Sequence, residues 1–231
     1  MLYVLGFGHY HPETAISNGF LEHLDIGASA DWIEEHIGIQ RRHTVLPLEY
    51  IEATRNADVQ RAVQKMQETP TDLGVAAARA ALSQAAVPQN AVGLVIANCC
   101  TPMQTVPAEA QRIACALGLD AQAFDVLGAC PAFALHLSWL HGMRAEALPE
   151  YILCVSTACF TTVVDYSDPA DAAILSDGAA AWVVSPVHNR GFQVLEACYG
   201  TDAAQCKAIE VPRHGHFRQD GRAVRNFSVR R

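Results

Sequence analysis

Val92-Gly93-Leu94-Val95-Ile96-Ala97 is apolar without a break. A strand with one face in water alternates apolar and polar residues, so an unalternating run predicts a strand buried on both faces, inside a sheet covered by helices. The flanking segments supply those helices. An alanine-rich stretch, residues 73–86, precedes the run, with Thr71-Asp72 as its N-cap. A helix opened by Pro107 and ending near Gly118 follows it. Residues 2–5, 123–127, 151–156, 172–175 and 180–184 read as further strands, and residues 131–143 as a helix. A short helix at 31–36 is stopped by Gly38. This alternation predicts an α/β fold with a mixed, mainly parallel sheet.

The remaining segments set the organisation. Gly6-Phe7-Gly8 reads as a glycine turn after the first strand; His11 stands where a dinucleotide fingerprint needs its third glycine, so no nucleotide site is assigned. Residues 44–70, with scattered charges and prolines, read as a surface excursion, and Ser176-Asp177-Gly178 as a turn. Residues 186–191 form a polar hinge, and 192–198 a fresh strand opening a second unit. The expected division is 1–186 for a first unit and 187–231 for the beginning of a second.

Composition excludes several classes. With 51% apolar and 17% charged residues among 231, the chain has the material for a sizeable core. Its net charge of −8 opposes a broad nucleic-acid or anionic-membrane surface. Arg41-Arg42-His43 and the arginines at 222, 225, 230 and 231 read as solvated faces. No apolar run approaches the roughly 18–20 residues of a membrane span. Met1 leads directly into Leu2-Tyr3-Val4-Leu5 without a basic leader, and the expected location is the cytoplasm. Eight cysteines occur without any C-x-x-C. Cys99, Cys100, Cys115, Cys154 and Cys198 lie in or beside apolar runs and read as small core residues in a reducing compartment.

Cys130 is different. In Asp125-Val126-Leu127-Gly128-Ala129-Cys130-Pro131-Ala132-Phe133 a strand ends, small residues turn the chain, and the cysteine stands where a proline opens a helix. Unpaired amides and the positive end of the helix dipole favour a thiolate there, and the same amides can bind the oxyanion formed when it attacks a thioester. The helix behind it is apolar almost all round and so reads as buried. Cys130 should then lie deep, at the end of a narrow tunnel suited to a long, thin thioester. It is the candidate catalytic nucleophile; the competing reading is one more core cysteine. His136 and His141 read as packing residues. His214-Gly215-His216 lacks further ligands, and no metal site is expected.

These segments resemble the β-ketoacyl-acyl-carrier-protein synthase III family of the thiolase fold. The resemblance runs through Gly6-Phe7-Gly8 with Pro12-Glu13, Asp31-Trp32-Ile33 with Gly38-Ile39 and Arg42-His43, the Cys130 segment, Asp177-Gly178-Ala179, and Asp220-Gly221-Arg222 with Val224 and Phe227. It implies a first thiolase-like half of βαβαβ type and a truncated second half. It implies that Cys130 takes an acyl group from an acyl thioester, usually acyl-CoA, and condenses it with malonyl-acyl-carrier protein to a 3-oxoacyl product, as in the initiation of fatty acid biosynthesis. No cofactor beyond these substrates is implied. Trp32 matches the tryptophan that stacks on the adenine of CoA, and Val106 lies where a homodimer partner contributes to the acyl pocket.

The sequence also departs from the family. His36 and Pro169 replace two arginines that flank the CoA adenine, which makes an acyl-carrier-protein donor an alternative to acyl-CoA. Pro131-Ala132 replaces the usual Ala-Gly after the nucleophile. The His and Asn that polarise the malonyl thioester belong to a part of the family sequence for which these 231 residues have no counterpart. Two alternatives follow: a non-condensing acyl-transfer or supporting subunit of a thiolase-fold complex, and an α/β-hydrolase-type thioesterase built on Cys130, Asp177 and His214. Against the hydrolase stands the missing second glycine of its nucleophile elbow.

Overall fold

The computed structural model describes residues 1–213 and 215–219. In chain order the elements are β1 (Leu2–Tyr10), β2 (Ala15–Ser17), α1 (Asn18–His23), α2 (Ala30–Ile37), β3 (Arg41–His43), α3 (Leu48–Thr54), α4 (Val59–Lys65), α5 (Pro70–Ala85), β4 (Val92–Cys99), α6 (Glu109–Ala116), β5 (Gln122–Asp125), α7 (Ala132–His141), β6 (Tyr151–Cys159), α8 (Pro169–Ala172), β7 (Asp177–Ser185), β8 (Phe192–Val194), β9 (Ile209–Glu210) and β10 (Arg218–Gln219). They fall into two compact units. The segment 220–227 that contributed to the resemblance, His214, and the C-terminal arginines lie outside the described residues.

The first unit (1–12, 68–159 and 177–199) is built on a six-stranded sheet of order β5-β4-β6-β7-β1-β8. β5, β4 and β6 are parallel neighbours, whereas β7 is antiparallel to both β6 and β1, and β8 is antiparallel to β1. The α/β class and mixed sheet agree with the sequence reading. Its parallel portion is the part joined by helical crossovers; β7 returns beside β6 without one. Phe192–Val194, expected to open a new unit, pairs here with β1.

Each face of the sheet has its own helices. On one, Leu2, Val4, Leu94, Ile96, Ile152, Cys154, Trp182 and Val184 form a core with Leu137 and Leu140 of α7. Each such aliphatic side chain stabilises the unit by roughly 1.5–3 kcal/mol. On the other, α5 lies directly against β1. A Cβ on Gly8 would stand 2.3 Å from the Ala77 carbonyl oxygen and the Ala81 amide nitrogen, and one on Gly6 would stand 2.7 Å from the Ala85 nitrogen. These glycines are therefore strand residues selected for close helix approach, and the expected glycine turn is corrected: β1 continues to Tyr10. α5 begins earlier than expected. Thr69 is its N-cap in a capping box with Asp72, and Pro70 occupies the first turn, so Thr71 is already helical.

The second unit (13–67, 160–176 and 200 onward) has its own core of Ile16, Leu21, Leu24, Ile33, Leu46, Ile51, Val164 and Tyr166. Two expectations are corrected here. Residues 44–70 supply part of that core instead of a surface excursion, because Val45, Leu46, Tyr50, Ile51, Val59 and Ala62 are buried. Residues 172–175 are the end of α8 and a turn rather than a strand; four residues are too few for periodicity to separate the two. α2 matches its reading, with Ser29 as N-cap and Gly38 in the left-handed conformation at its end. Arg42, expected on a solvated face, is 1% exposed. Its Nε donates to the Ala173 carbonyl oxygen (2.8 Å) and its Nη1 to Asn18 Oδ1, and burial holds its pKa below the usual arginine range. Among the described residues no helix is long and apolar enough to cross a membrane.

Candidate active site

Cys130 occupies the turn between β5 and α7. Past Asp125 the Val126 amide still donates to the Ala97 carbonyl (2.8 Å), after which the chain leaves the sheet. Ala129 then adopts φ +53°. This left-handed conformation costs a residue bearing a Cβ about 1–2 kcal/mol. A side chain at Gly128 would meet Leu135 Cδ2 at 2.5 Å. Pro131 is the N-cap of α7, which places Cys130 one residue before the cap, as the sequence predicts.

The turn is held by a side chain the sequence reading missed. Asn98, 3% exposed at the end of β4, accepts hydrogen bonds through Oδ1 from the Gly128 (3.0 Å) and Ala129 (2.9 Å) amides. Its Nδ2 donates to Ser156 Oγ on β6 (2.9 Å), which fixes the amide orientation. A polar residue ending an otherwise apolar strand is the signal that identifies it. Two further ties flank the turn. The Asp125 carboxylate accepts from the Glu109 (2.9 Å) and Ala110 (2.8 Å) amides at the start of α6. His136 Nε2 donates to the Val126 carbonyl (2.9 Å), and burial lowers the imidazole's pKa below its ordinary value. His136 is thus the packing residue expected, whereas His141 is exposed.

Cys130 opens into a cleft of about 550 Å³ whose wall includes Phe7, His9, Gln84, Phe133, Ser156 and Trp182. Phe133 packs against Trp182 (ring centroids 5.1 Å) and Phe7 (6.2 Å). The tunnel expectation is corrected: Cys130 is exposed. α7 buries the face carrying Leu137 and Leu140 but leaves Phe133 (44%) and Trp139 (39%) accessible, so its apolar circumference does not enclose the thiol. Cys99 and Cys154 are buried, as is Cys159, and burial pushes all three thiols well above the ordinary range. Cys115 and Cys198, read as core residues, are exposed.

The other candidates lie elsewhere. Trp32 is on α2 in the second unit, 47% exposed, with one indole face stacked on His36 at 4.6 Å and 12°. The His36 ring is set by its Nδ1, which donates to the Trp32 carbonyl (3.0 Å). Val106 is 79% exposed in the loop before α6. Asp177 is buried on β7 and is not part of the cleft wall, and His214 lies outside the described residues. His216 Nε2 donates to the Asn56 carbonyl (2.7 Å). Among the described residues no cluster of His, Cys, Asp and Glu could hold a metal ion.

Comparison with known proteins gives one family. Residues 124–203 match the family 3-oxoacyl-[acyl-carrier-protein (ACP)] synthase III. The chain is 30% identical to the β-ketoacyl-ACP synthase III of Sphingopyxis alaskensis, over 97% of this chain and 66% of that protein. It is 28% identical to the synthase III of Streptomyces glaucescens, over 98% and 65%. Among solved structures, 3-oxoacyl-ACP synthase III from Pseudomonas aeruginosa superposes with a TM-score of 0.74 at 28% identity, over 96% of this chain and 65% of that one. The β-ketoacyl-ACP synthase III of Thermus thermophilus gives 0.77 at 26% identity, over 99% and 68%. The chain spans about two thirds of the length of these relatives.

Proposed function

We propose that this chain, which belongs to the β-ketoacyl-acyl-carrier-protein synthase III family of the thiolase-like superfamily, carries the acyl-accepting centre of a condensing acyltransferase, with Cys130 as nucleophile. The observation that carries the reading is the placement of Cys130: exposed, at the start of a ten-residue helix, in a cleft walled by aromatic rings. Pro131 offers no capping side chain, and although the Ala132 amide donates to the Ala129 carbonyl (3.1 Å), the next amides of the first turn of α7 are available to an oxyanion. Cys130 Sγ attacks the thioester carbonyl, the oxyanion collapses, and the carrier leaves as its thiol with the acyl group on sulfur. In the condensation proper to the family, malonyl-acyl-carrier protein loses CO₂, its carbanion attacks the acyl carbon, and the Cys130 thiolate is released with the 3-oxoacyl product.

Acyl-CoA and acyl-carrier protein are the proposed donors. Trp32 is the proposed contact for the CoA adenine, through the indole face that His36 leaves open. The exposed Val106 loop is the proposed site where a second copy contributes, in a cytoplasmic homodimer. Release of free thiol from acyl-CoA or acyl-carrier protein tests the reading. One equivalent per chain is expected, and none from the Cys130→Ser variant; equal release from both proteins would remove Cys130 from the reaction.

A further inference from the structure

We infer that Cys100 is a resolving thiol for Cys130: once a hydroperoxide has oxidised Cys130 to its sulfenic acid, Cys100 closes a disulfide with it. The inference rests on the reading of Cys130 as the reactive thiol, and the bridge holds that thiol out of acyl transfer until a dithiol reopens it. Two chain segments meet at this point. β4 and β5 are parallel neighbours in which Ala97 pairs with Asp125, and the Val126 amide on the Ala97 carbonyl carries the pairing one residue further. Adjacent strands stand about 4.7–4.9 Å apart. That spacing falls inside the roughly 4.4–6.8 Å between Cα atoms that a disulfide spans. Past the paired residues the nucleophile turn comes back to β4, where Asn98 Oδ1 accepts the Gly128 (3.0 Å) and Ala129 (2.9 Å) amides. Cys130 follows directly.

The Asn98 side chain also hydrogen-bonds Cys100, two positions further along its own chain, and the charge of Cys130 acts on Cys100. One carboxamide therefore gathers both cysteine-bearing segments. Cys130 is exposed and Cys100 half-buried, so a small peroxide reaches Cys130 first. No regular element spans the residues between the end of β4 at Cys99 and the start of α6 at Glu109, which leaves Cys100 room to adjust as the bridge closes. Cys99 is placed differently. It follows Asn98 and so points to the opposite face of the strand, where it is buried with Glu109 and Thr101 around it.

The chemistry balances with the peroxide as oxidant. The Cys130 thiolate attacks one peroxide oxygen, the O–O bond breaks, and water or an alcohol leaves. The sulfur has given up an electron pair and carries the hydroxyl of a sulfenic acid. Cys100 sulfur then attacks Cys130 sulfur; the S–S bond forms, the S–O bond breaks, and the hydroxyl departs with the Cys100 proton as water. Burial pushes the Cys100 thiol up, and a charged Cys130 pushes it further. A neutral sulfenic acid removes the second contribution, so Cys100 ionises more readily after Cys130 is oxidised than before.

The test treats the 231-residue protein with hydrogen peroxide, blocks the remaining thiols with iodoacetamide and maps its peptides without reduction. The expected product is a single chain in which the peptides carrying Cys100 and Cys130 are linked and lighter by two hydrogens. Dithiothreitol should then return Cys130 labelling to its starting level. In Cys100→Ser, which keeps a hydroxyl for Asn98, and in Cys100→Ala, Cys130 should pass on to the sulfinic acid, and most of the labelling that dithiothreitol recovers should be lost. A bridge from Cys130 to another cysteine or between two chains, no bridge at all, or full recovery in both variants would overturn the inference. Should neither variant fold, the peptide map of the unaltered protein decides alone. A protein that forms the bridge, yet takes no acyl group when reduced, keeps the pairing and loses the acyl-transfer reading.

Discussion

Asn98 and Ala129 form the relationship on which the nucleophile turn depends: one buried amide oxygen accepts the backbone N–H of a residue at φ +53°, and of the glycine before it. The left-handed alanine is held where it is because two donors converge on a single acceptor whose own orientation is fixed by Ser156. Asn98→Ala leaves both amides without that acceptor and is expected to cost about 2–3 kcal/mol. Ser156→Ala removes only the orienting bond and should cost about 1 kcal/mol. Urea midpoints measure both, and equal losses would show that Asn98 is not held through Ser156.

Backbone requirements at Ala129 and Gly8 predict opposite responses to a change of one methyl group. Ala129→Gly relieves the left-handed conformation, so stability should be retained or rise by up to about 1 kcal/mol. Gly8→Ala would press a Cβ into the α5 backbone 2.3 Å away and is expected to cost at least about 3 kcal/mol or prevent folding. Thermal unfolding of the two variants checks the pair; a tolerated Gly8→Ala would mean that α5 does not lie directly on β1.

Seven of the eight thiols should separate by burial, with Cys100 half-buried between the two groups. Cys115, Cys130, Cys198 and Cys206 are exposed, whereas Cys99, Cys154 and Cys159 are buried with their thiolates strongly disfavoured. Brief alkylation of the native protein near neutral pH should label the first group and spare the second, and all eight should react in urea. Peptide mass mapping reads this out, and early labelling of Cys154 would contradict the sheet as described.

Asp171 gives the second unit a pH-dependent stability. Burial, with Asp168 adding to it, pushes its carboxyl up to about 6, while Gln219 donates to Oδ1 at 2.8 Å. An unfolded aspartate titrates near 3.9. Between about pH 4 and 6 the folded chain holds a proton that the unfolded chain has released, so stability falls as pH rises through that window. Asp171→Asn keeps the acceptor without the charge. It should be more stable than the parent above pH 6 by about 1 kcal/mol and converge with it near pH 4. Urea midpoints at the two pH values decide, and a difference independent of pH would exclude Asp171 as the source.

What could be read from the sequence is the part written in local pattern. The unbroken apolar run at 92–97 became β4, and the strand–turn–helix around Cys130 lies where its residues put it. The misreadings have a common physical origin. Gly6 and Gly8 read as a turn because close approach of a helix to a strand leaves the same mark as a bend, namely a missing side chain. Residues 44–70 read as surface because their apolar positions are separated by charges along α3 and α4, and only the second core reveals which face is inside. Arg42 carried a charge that a local reading sends to solvent; its partners Asn18 and Ala173 stand 24 and 131 positions away in sequence. Asn98 is hidden for the same reason, since its bonds to the Gly128 and Ala129 amides join positions 30 and 31 apart in sequence.

The central claim is that Cys130 becomes acylated. Intact mass spectrometry after incubation with a short- or medium-chain acyl-CoA and with the matching acyl-carrier protein, followed by peptide mapping, tests it most directly. The account predicts a gain of one acyl group, located on the peptide containing Cys130 and removed by hydroxylamine. No adduct from either donor, or an adduct on another residue, would contradict it.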